Sequence, residues 1–194
     1  DDFCYGAKRA GNFASLKAAG EKYGFEVSSL QTIQENGTRI SSSALRAALA
    51  SGDMQQAEKL LGRPYGISGH VIHGQKLGRQ LGFPTLNLAV ANHLHHRKPA
   101  STGIFVAQVL GLSDKPLPAV ASLGVRPTVE DEGRVLLETH IFDYNADVYG
   151  KIITVELLEK IRDEAKYSDL ETLTKAIAAD AAHARNYFQK KSYV

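Results

Sequence analysis

The stretch "TGIFVAQVLGLSDKPLPAVASLGV", residues 102–125, contains two apolar, β-rich runs separated by a short segment rich in Gly, Ser, Asp and Pro. Similar runs lie on either side of it: "ISGHVIHG" upstream, and "RVLLETHIFDY" and "KIITVELLEKI" downstream. Several short strands punctuated by such turn residues indicate an antiparallel barrel or sandwich. The sequence therefore predicts a mainly β domain, which we place at residues 63–194.

A C-terminal helix is expected after these strands. The segment 168–190 carries apolar residues at helical spacing, and Ser168 and Glu171 have the spacing of a capping box. A single amphipathic helix of this kind buries its apolar stripe against a neighbouring element.

The first third of the chain has a different, mixed pattern. We predict helices over 12–24 and 40–52, a further short helix capped by Asp53, and a strand over 25–33. The segment "GRPYG" ends the last helix, since Gly and Pro both stop helices. We therefore predict a separate α/β domain over residues 1–62.

The composition of the chain argues against some classes of binding partner and indicates a cellular compartment. The chain has 194 residues, 43% of them hydrophobic, and a net charge of +2. That charge is too small, and too evenly spread, to predict nucleic-acid binding. No apolar run reaches the length of a membrane span, about 18–20 residues. With one cysteine and no signal peptide, we expect a cytoplasmic protein with no membrane partner. Its opening "DDFCYGAKRAG" has no initiator Met, and we expect a cut end inside a longer protein.

The glycine-rich stretch "HGQKLGRQLGFPTLN", residues 73–87, is the first candidate site. It matches neither of the common glycine-rich phosphate-binding motifs. One interpretation is a flap whose backbone N–H groups face phosphate oxygens, with Lys76 and Arg79 supplying positive charge. The other is a hairpin without a ligand.

Thr85 and Asn87 favour the first interpretation. At positions i and i+2 of an extended segment, their side chains leave the same face. A hydroxyl and an amide carbonyl are hard oxygen ligands suited to Mg²⁺. We predict a metal site at this end of the stretch.

Glu138 is the second candidate, because it shares a strand face with Leu136 and Phe142 in "VLLETHIFDY". If that face points inward, the carboxylate is partly desolvated and costs free energy unless it is paired. The alternative is a structural ion pair with Arg126 or Arg134.

These motifs together resemble the riboflavin kinase family. The similar segments are "GHVIHGQKLGRQLGFPTLNL", "LGVRPTV", "LETHIFDYNADVYGK" and "IRDEAKYSDLETL", which follow the family's order from about Arg63 to Phe188. The resemblance implies a Greek-key antiparallel barrel of about six strands with a C-terminal α-helix. The upstream part resembles the end of an FMN adenylyltransferase module, which implies an α/β remnant of a Rossmann-like nucleotidyltransferase domain. Bacterial FAD synthetases join the two modules in one bifunctional chain.

The resemblance also implies an activity and its residues. Riboflavin kinases transfer the γ-phosphoryl group of ATP to the riboflavin 5′-hydroxyl, giving FMN and ADP, with Mg²⁺ at the phosphates. Glu138 corresponds to the catalytic base, and Thr85 and Asn87 to the metal and phosphate contacts. Further correspondences are Gly74, Arg79, Gly82 and Tyr149 for the nucleotide, Arg162 and Glu164 for the flavin, and Arg126 for a phosphate. Tyr149 could instead be an aromatic turn residue, and Arg162 and Glu164 a solvated loop.

The adenylyltransferase part matches at Ser42, Ser43 and Arg46, which the resemblance places at a triphosphate site. No segment of the sequence matches the H-x-G-H motif that this module needs. We expect this chain not to make FAD, and its parent protein to do so. A non-catalytic flavin- or nucleotide-binding module is the alternative function.

Overall fold

The computed structural model describes residues 3–29, 32–35, 37–74, 77–89, 99–125 and 135–191. By contacts the chain divides into two compact units, residues 1–39 and 40–194. The elements of the first unit are β1 (Cys4–Tyr5), a 3-10 turn (Ala7–Arg9), β2 (Gly11–Asn12), α1 (Phe13–Tyr23), β3 (Gln34–Glu35) and β4 (Thr38–Arg39).

Helix α1 confirms the helix predicted over 12–24. Asn12 caps it, since its Oδ1 accepts from the Ser15 N–H at 3.0 Å and its own N–H donates to Ser15 Oγ at 2.9 Å. Gly24 ends the helix in the left-handed conformation, φ 77°. The strand predicted over 25–33 is wrong for the described part of that segment, where the backbone is irregular. The hairpin of β3 and β4 follows instead.

The second unit consists of α2 (Ser42–Ser51), α3 (Met54–Leu61), β5 (Tyr65–Ile72), α4 (Leu77–Gln80), β6 (Leu86–Ala89), β7 (Gly103–Leu110), β8 (Leu117–Val125), β9 (Val135–Ile141), β10 (Ile152–Arg162) and α5 (Leu170–Lys191). Its strands form a closed antiparallel barrel in the order β10-β5-β6-β9-β8-β7. Strands β7, β8 and β9 are consecutive neighbours, and β6 lies beside β9. That order is a Greek key, and the predicted six-stranded barrel with a C-terminal helix is confirmed.

Strand β9 shows how the alternation of side chains builds the barrel. Leu137, Thr139 and Ile141 are buried inside it, whereas Glu138 and His140 are half-buried on the outer face. The glutamate therefore does not point into the barrel core. It points to the side where α5 packs, because Ala181 and Ala184 of that helix form a second apolar cluster with outward residues of the barrel, namely Val106, Val120 and Phe142.

Three helices of this unit begin at side-chain caps. Ser41 accepts from the Ala44 N–H at 3.2 Å, and Asp53 from the Gln56 N–H at 2.9 Å. For α5 the predicted cap is one residue out of place. The helix begins at Leu170, and Asp169, not Ser168, accepts from the Thr172 N–H at 2.8 Å. A carboxylate is the better cap, because it also stabilises the positive end of the helix dipole.

Helices α2 and α3 contribute to the same core as the barrel. Leu49, Met54, Ala57 and Leu60 are buried in one apolar cluster with barrel residues such as Leu157. Residues 40–61 thus belong to the compact unit that holds the barrel. The predicted domain boundary between residues 62 and 63 stays a prediction.

Candidate active site

The glycine-rich stretch folds into one short helical turn followed by a sharp stop. After α4, the Phe83 N–H donates to the Gly78 carbonyl at 2.7 Å, and the Gly82 N–H to the Arg79 carbonyl at 3.3 Å. Gly82 has φ 84°, a left-handed value that favours glycine. This pair of bonds is a Schellman motif, which ends the helix and directs the chain into an extended segment. The segment leads through Pro84 and Thr85 into β6.

Asn87, in the middle of β6, carries a buried oxygen that needs a partner. The residue is 4% exposed, and its Oδ1 accepts no hydrogen bond from the described part of the chain. An unpaired buried acceptor costs about 1–3 kcal/mol. Its amide lies against Gly74, where a Cβ would overlap it. The glycine thus makes room for the amide, whose oxygen has no partner within the described residues.

Glu138 lies on β9 directly opposite Asn87 on β6, and opposite Ser122 on β8. Directly opposite residues of antiparallel strands project from the same face. The amide, the carboxyl and the hydroxyl therefore belong to one outward-facing row across three strands. This row combines hard oxygen ligands with a potential base.

A first cavity of ≈ 250 Å³ lies between this outer face and the C-terminal helix. Its walls are mainly apolar, and Glu138 is among the polar residues that line it. The lining includes Leu81, Phe83, Ile104, Val120, Tyr167, Leu173 and Ile177, together with Ser122, Arg162, Glu164 and Asp180. Apolar walls with a few convergent polar groups are typical of a small-molecule site.

A second cavity of ≈ 360 Å³ opens at the end of the barrel. Arg79 and Tyr149 line it, together with Leu86, Thr139 and residues 144–148. Thr85 lines both cavities. Since Thr139 lines the second cavity and Glu138 the first, the alternation of β9 presents one residue to each.

Glu164 closes one side of the first cavity. Its carboxylate lies so close to the backbone of Gly124, at the end of β8, that a Cβ there would overlap it. Burial raises the pKa of the Glu164 carboxyl above its ordinary value. The contact places an acidic side chain beside the cavity, and a side chain at position 124 would require the Glu164 carboxylate to move.

Arg162 also borders this cavity, but its donors are engaged. Its Nε and Nη2 donate to the two carboxylate oxygens of Asp180 at 2.9 and 2.6 Å, and its Nη1 donates to the Asp163 carbonyl at 3.0 Å. The hydrogen bonds to Asp180 raise the pKa of the guanidinium. Arg162 thus ties the end of β10 to helix α5, and its guanidinium carbon lies over the ring of Tyr167, 5.9 Å from the centroid.

Comparison with known proteins shows which family the chain belongs to. Residues 61–188, about two thirds of the chain, match the riboflavin kinase (flavokinase) family model, and residues 1–44 match that of FAD synthetase. The chain belongs to the riboflavin kinase family. The resemblance that the sequence motifs carried is thereby confirmed.

Curated relatives of this riboflavin kinase family member are bifunctional. The chain is 47% identical over 188 residues to the bifunctional riboflavin kinase/FMN adenylyltransferase of Escherichia coli (strain K12), and 44% identical over 185 residues to that of Pseudomonas fluorescens. These matches cover 97% and 95% of this chain and 58% of each relative. The chain thus spans little more than half the length of these relatives.

A solved structure shares the fold. A crystal structure described as a macrolide-efflux protein from Streptococcus pneumoniae is similar over 95% of this chain and 58% of that one, with a TM-score of 0.72 and 31% identity. Within the described segments of the present chain, no helix is both long and apolar enough to cross a bilayer. The likeness supports the fold.

The structure brings most of the predicted kinase residues to the two cavities. Thr85, Glu138, Arg162 and Glu164 line the first, and Arg79, Thr85 and Tyr149 the second. Gly74 and Asn87 pack against each other, and Gly82 shapes the turn. Lys76, Arg126 and Arg134 lie outside the described residues, so the phosphate contact and the alternative ion pairs stay predictions. The individual roles of all these residues also stay predictions.

Two residues of the first cavity were missed by the sequence reading. His140 follows Glu138 by two positions and so shares its strand face, which the quoted motif "ETH" already contained. Asp180 lies beside Ile177 and Ala181 in the apolar stripe of α5, where it is buried. An acidic residue within an apolar helical stripe was the available signal, since such a group needs a partner.

The residues predicted for the adenylyltransferase part lie at the start of α2. Ser42 and Ser43 are its first two residues and exposed, and Arg46 is exposed one turn later. Their role at a triphosphate site stays a prediction. So does the expectation that this chain does not make FAD.

Proposed function

We propose that this chain is a riboflavin kinase, which transfers the γ-phosphoryl group of ATP to the 5′-hydroxyl of riboflavin and releases FMN and ADP. The observation that carries the proposal is that Thr85 borders both cavities, while Glu138 lines the first of them. A phosphoryl transfer needs two substrate sites that meet at one point. Thr85 marks that point.

The first cavity suits the flavin. A planar aromatic ring system requires apolar walls, and Phe83, Val120 and Ile177 supply them. A flavin also carries polar edges, for which the Glu164 carboxyl is available. With the flavin ring held between these apolar walls, the ribityl chain and its terminal hydroxyl reach Glu138.

The second cavity suits the nucleotide. It is lined mainly by polar residues and includes Arg79, whose guanidinium can pair with phosphate oxygens. The ring of Tyr149 lies against that of His73, with centroids 3.7 Å apart and the planes tilted by 35°, which gives an aromatic surface at the cavity wall. The γ-phosphate would lie at the Thr85 end, next to the flavin hydroxyl.

Mg²⁺ suits the oxygen donors of Asn87 and Thr85. Asn87 holds a buried amide oxygen without a partner in the described chain, and the hydroxyl of Thr85 is two residues away on the same face. These are hard neutral ligands, which leave most of the coordination shell to phosphates and water. When bound, the cation neutralises charge on the transferring phosphoryl group.

Glu138 acts as the general base in this proposal. Its carboxylate accepts the proton of the 5′-hydroxyl as the hydroxyl oxygen bonds to the γ-phosphorus. The bond from that phosphorus to the β,γ-bridging oxygen breaks, and the electron pair leaves with ADP. A positioned base of this kind contributes about 10²–10⁴-fold in rate.

We propose that the protein acts in the cytoplasm.

The direct test is to incubate the chain with riboflavin, ATP and Mg²⁺ and to separate FMN from riboflavin by chromatography. FMN should form, and Glu138→Gln should lower kcat by at least about 10²-fold while binding of Mg·ADP is retained. Glu159→Gln is the matched control, because Glu159 pairs with His183 outside both cavities. Flavin and nucleotide binding without FMN formation would instead support a non-catalytic module.

A further inference from the structure

His140, on the strand that bears Glu138, contacts the segment that bears Thr85. It lies two residues after Glu138 on the outer face of β9, and it lines the first cavity. Its Nδ1 is 2.8 Å from the carbonyl oxygen of Pro84, 56 residues earlier in the chain. A carbonyl only accepts, so the imidazole donates through Nδ1–H.

The bond acts on the peptide unit that enters Thr85. The Pro84 carbonyl and the Thr85 nitrogen belong to one planar peptide group, so fixing the oxygen fixes the plane from which Thr85 projects. Pro84 has no N–H of its own to hold this segment. Within the described residues, the His140 imidazole donates the hydrogen bond that the Pro84 carbonyl accepts.

The position of the bond along the strands explains why a side chain makes it. The paired residues of β6 and β9 begin with Leu86 and Thr139. One step further along the same register, Thr85 would face His140, but no pairing of backbones is formed there. The imidazole bond to Pro84 therefore continues the connection between the two segments past the end of the ladder.

The imidazole is itself held in place by aromatic rings on both segments. Its ring meets Phe83 edge-on at 5.6 Å and Phe142 edge-on at 5.6 Å between centroids. Phe142 is in turn covered by the Arg185 guanidinium of α5, 4.4 Å from the ring centroid. A side chain packed in this way has little freedom to choose another rotamer, so the donor stays aimed at Pro84.

We propose that His140 is a positioning residue, which holds the Thr85 hydroxyl in place relative to Glu138 through the Pro84 peptide. This inference rests on the proposed kinase function. It adds a residue that joins the strand bearing the base to the segment bearing the metal and phosphate contacts. Displacing a reacting group by about 1 Å can cost roughly 10²-fold in rate, so a loose Thr85 should slow phosphoryl transfer.

The test compares His140→Leu, which removes the donor, with His140→Asn, whose amide N–H can occupy the position of Nδ1–H. For His140→Leu we expect kcat to fall by about tenfold to a hundredfold, with the affinity for Mg·ADP reduced. His140→Asn should recover most of both losses. If the two variants lose activity equally, or lose only thermal stability while kcat is kept, the proposal is wrong.

An independent measurement tests the bond itself without turnover. In two-bond ¹H–¹⁵N spectra of the intact chain labelled at histidine, the His140 resonance, assigned by its loss in His140→Asn, should show the Nδ1–H form. An Nε2–H form would overturn the proposal even if the enzyme is active. Absence of FMN formation by the wild type would overturn the proposed function instead. In that case the spectra and the Mg·ADP affinities of the two variants still decide the role of His140.

Discussion

Asn87 of β6 and Glu138 of β9 occupy directly opposite positions on two paired strands that are distant in sequence. Their side chains therefore leave the barrel on the same face, where the amide oxygen of Asn87 is buried without a partner in the described chain. The pairing register of the barrel strands alone brings together an amide of the kind that binds Mg²⁺ and a carboxyl group.

The first prediction concerns the buried oxygen of Asn87. Asn87→Ala should reduce the rise in melting temperature that Mg·ADP causes, because the amide ligand is lost. Without ligands, the cost of the truncated side chain is partly offset by removal of an unsatisfied acceptor, worth about 1–3 kcal/mol. Thermal scans with Mg²⁺, with ADP and with both would measure this.

Ser101→Ala is the matched control for that measurement. Ser101 is also buried with an unpartnered hydroxyl among the described residues. It lies outside the outward-facing row that Asn87, Glu138 and Ser122 form across three strands. Its removal should leave the Mg·ADP response unchanged. An equal loss of response in both variants would remove Asn87 from the metal site.

The second prediction concerns Gly74. Gly74→Ala would drive a Cβ into the Asn87 amide, so the amide must move. We expect the Mg²⁺ concentration for half-maximal activity to rise severalfold. Gly62→Ala is the control, because Gly62 has φ 69° with nothing near its missing Cβ. That change should cost roughly 1 kcal/mol of stability and leave the Mg²⁺ dependence as in the wild type.

The third prediction concerns the ion pair of Arg162 and Asp180, whose side chains are 29% and 8% exposed. Arg162→Ala leaves the buried carboxylate without its bidentate partner and should lower the free energy of unfolding by about 2–4 kcal/mol. Asp180→Asn removes the buried charge but keeps a polar group, so it should cost less. Urea unfolding measures both. A larger loss in Asp180→Asn would contradict the idea that an unpaired buried charge dominates.

The fourth prediction concerns pH and the pair of Asp143 and Arg185. Two hydrogen bonds from Arg185, at 2.8 and 3.0 Å, hold the pKa of the Asp143 carboxyl below its ordinary value of 3.8. A lowered pKa means that the pair stabilises the fold above the unfolded-state pKa and that this stability is lost as the pH falls through the folded-state pKa. The deficit of Asp143→Asn relative to the wild type should therefore be present at pH 7 and vanish in strong acid.

Asp143→Asn is the appropriate variant for this test, because Asp143 has φ 54° and asparagine tolerates the left-handed region. Asp143→Ala would add backbone strain to the loss of charge. Melting temperatures of both variants between pH 2 and 7 would separate the effects. A deficit of Asp143→Asn that does not change with pH would refute the ionic origin.

The sequence was sufficient for the elements whose determinants are local. Alternating apolar residues defined the strands of the barrel, and residues such as Asn12, Asp53 and Gly24 marked where helices begin and end. The strand expected at 25–33 was wrong because local β-propensity does not supply a pairing partner. The cap of α5 was misplaced by one residue because serine and aspartate are adjacent and both can cap.

For the candidate site, the sequence determined the kinds of chemical group and the tertiary structure decided their arrangement. Motif spacing singled out Thr85, Asn87 and Glu138, because residues at i and i+2 of a strand share a face whatever the fold. Motif spacing could not show that Asn87 lies opposite Glu138. Nor could it show that His140 donates a hydrogen bond to the Pro84 carbonyl, or that Asp180 forms an ion pair with Arg162. Those contacts join residues 18 to 56 positions apart, and strand register and helix packing bring them together.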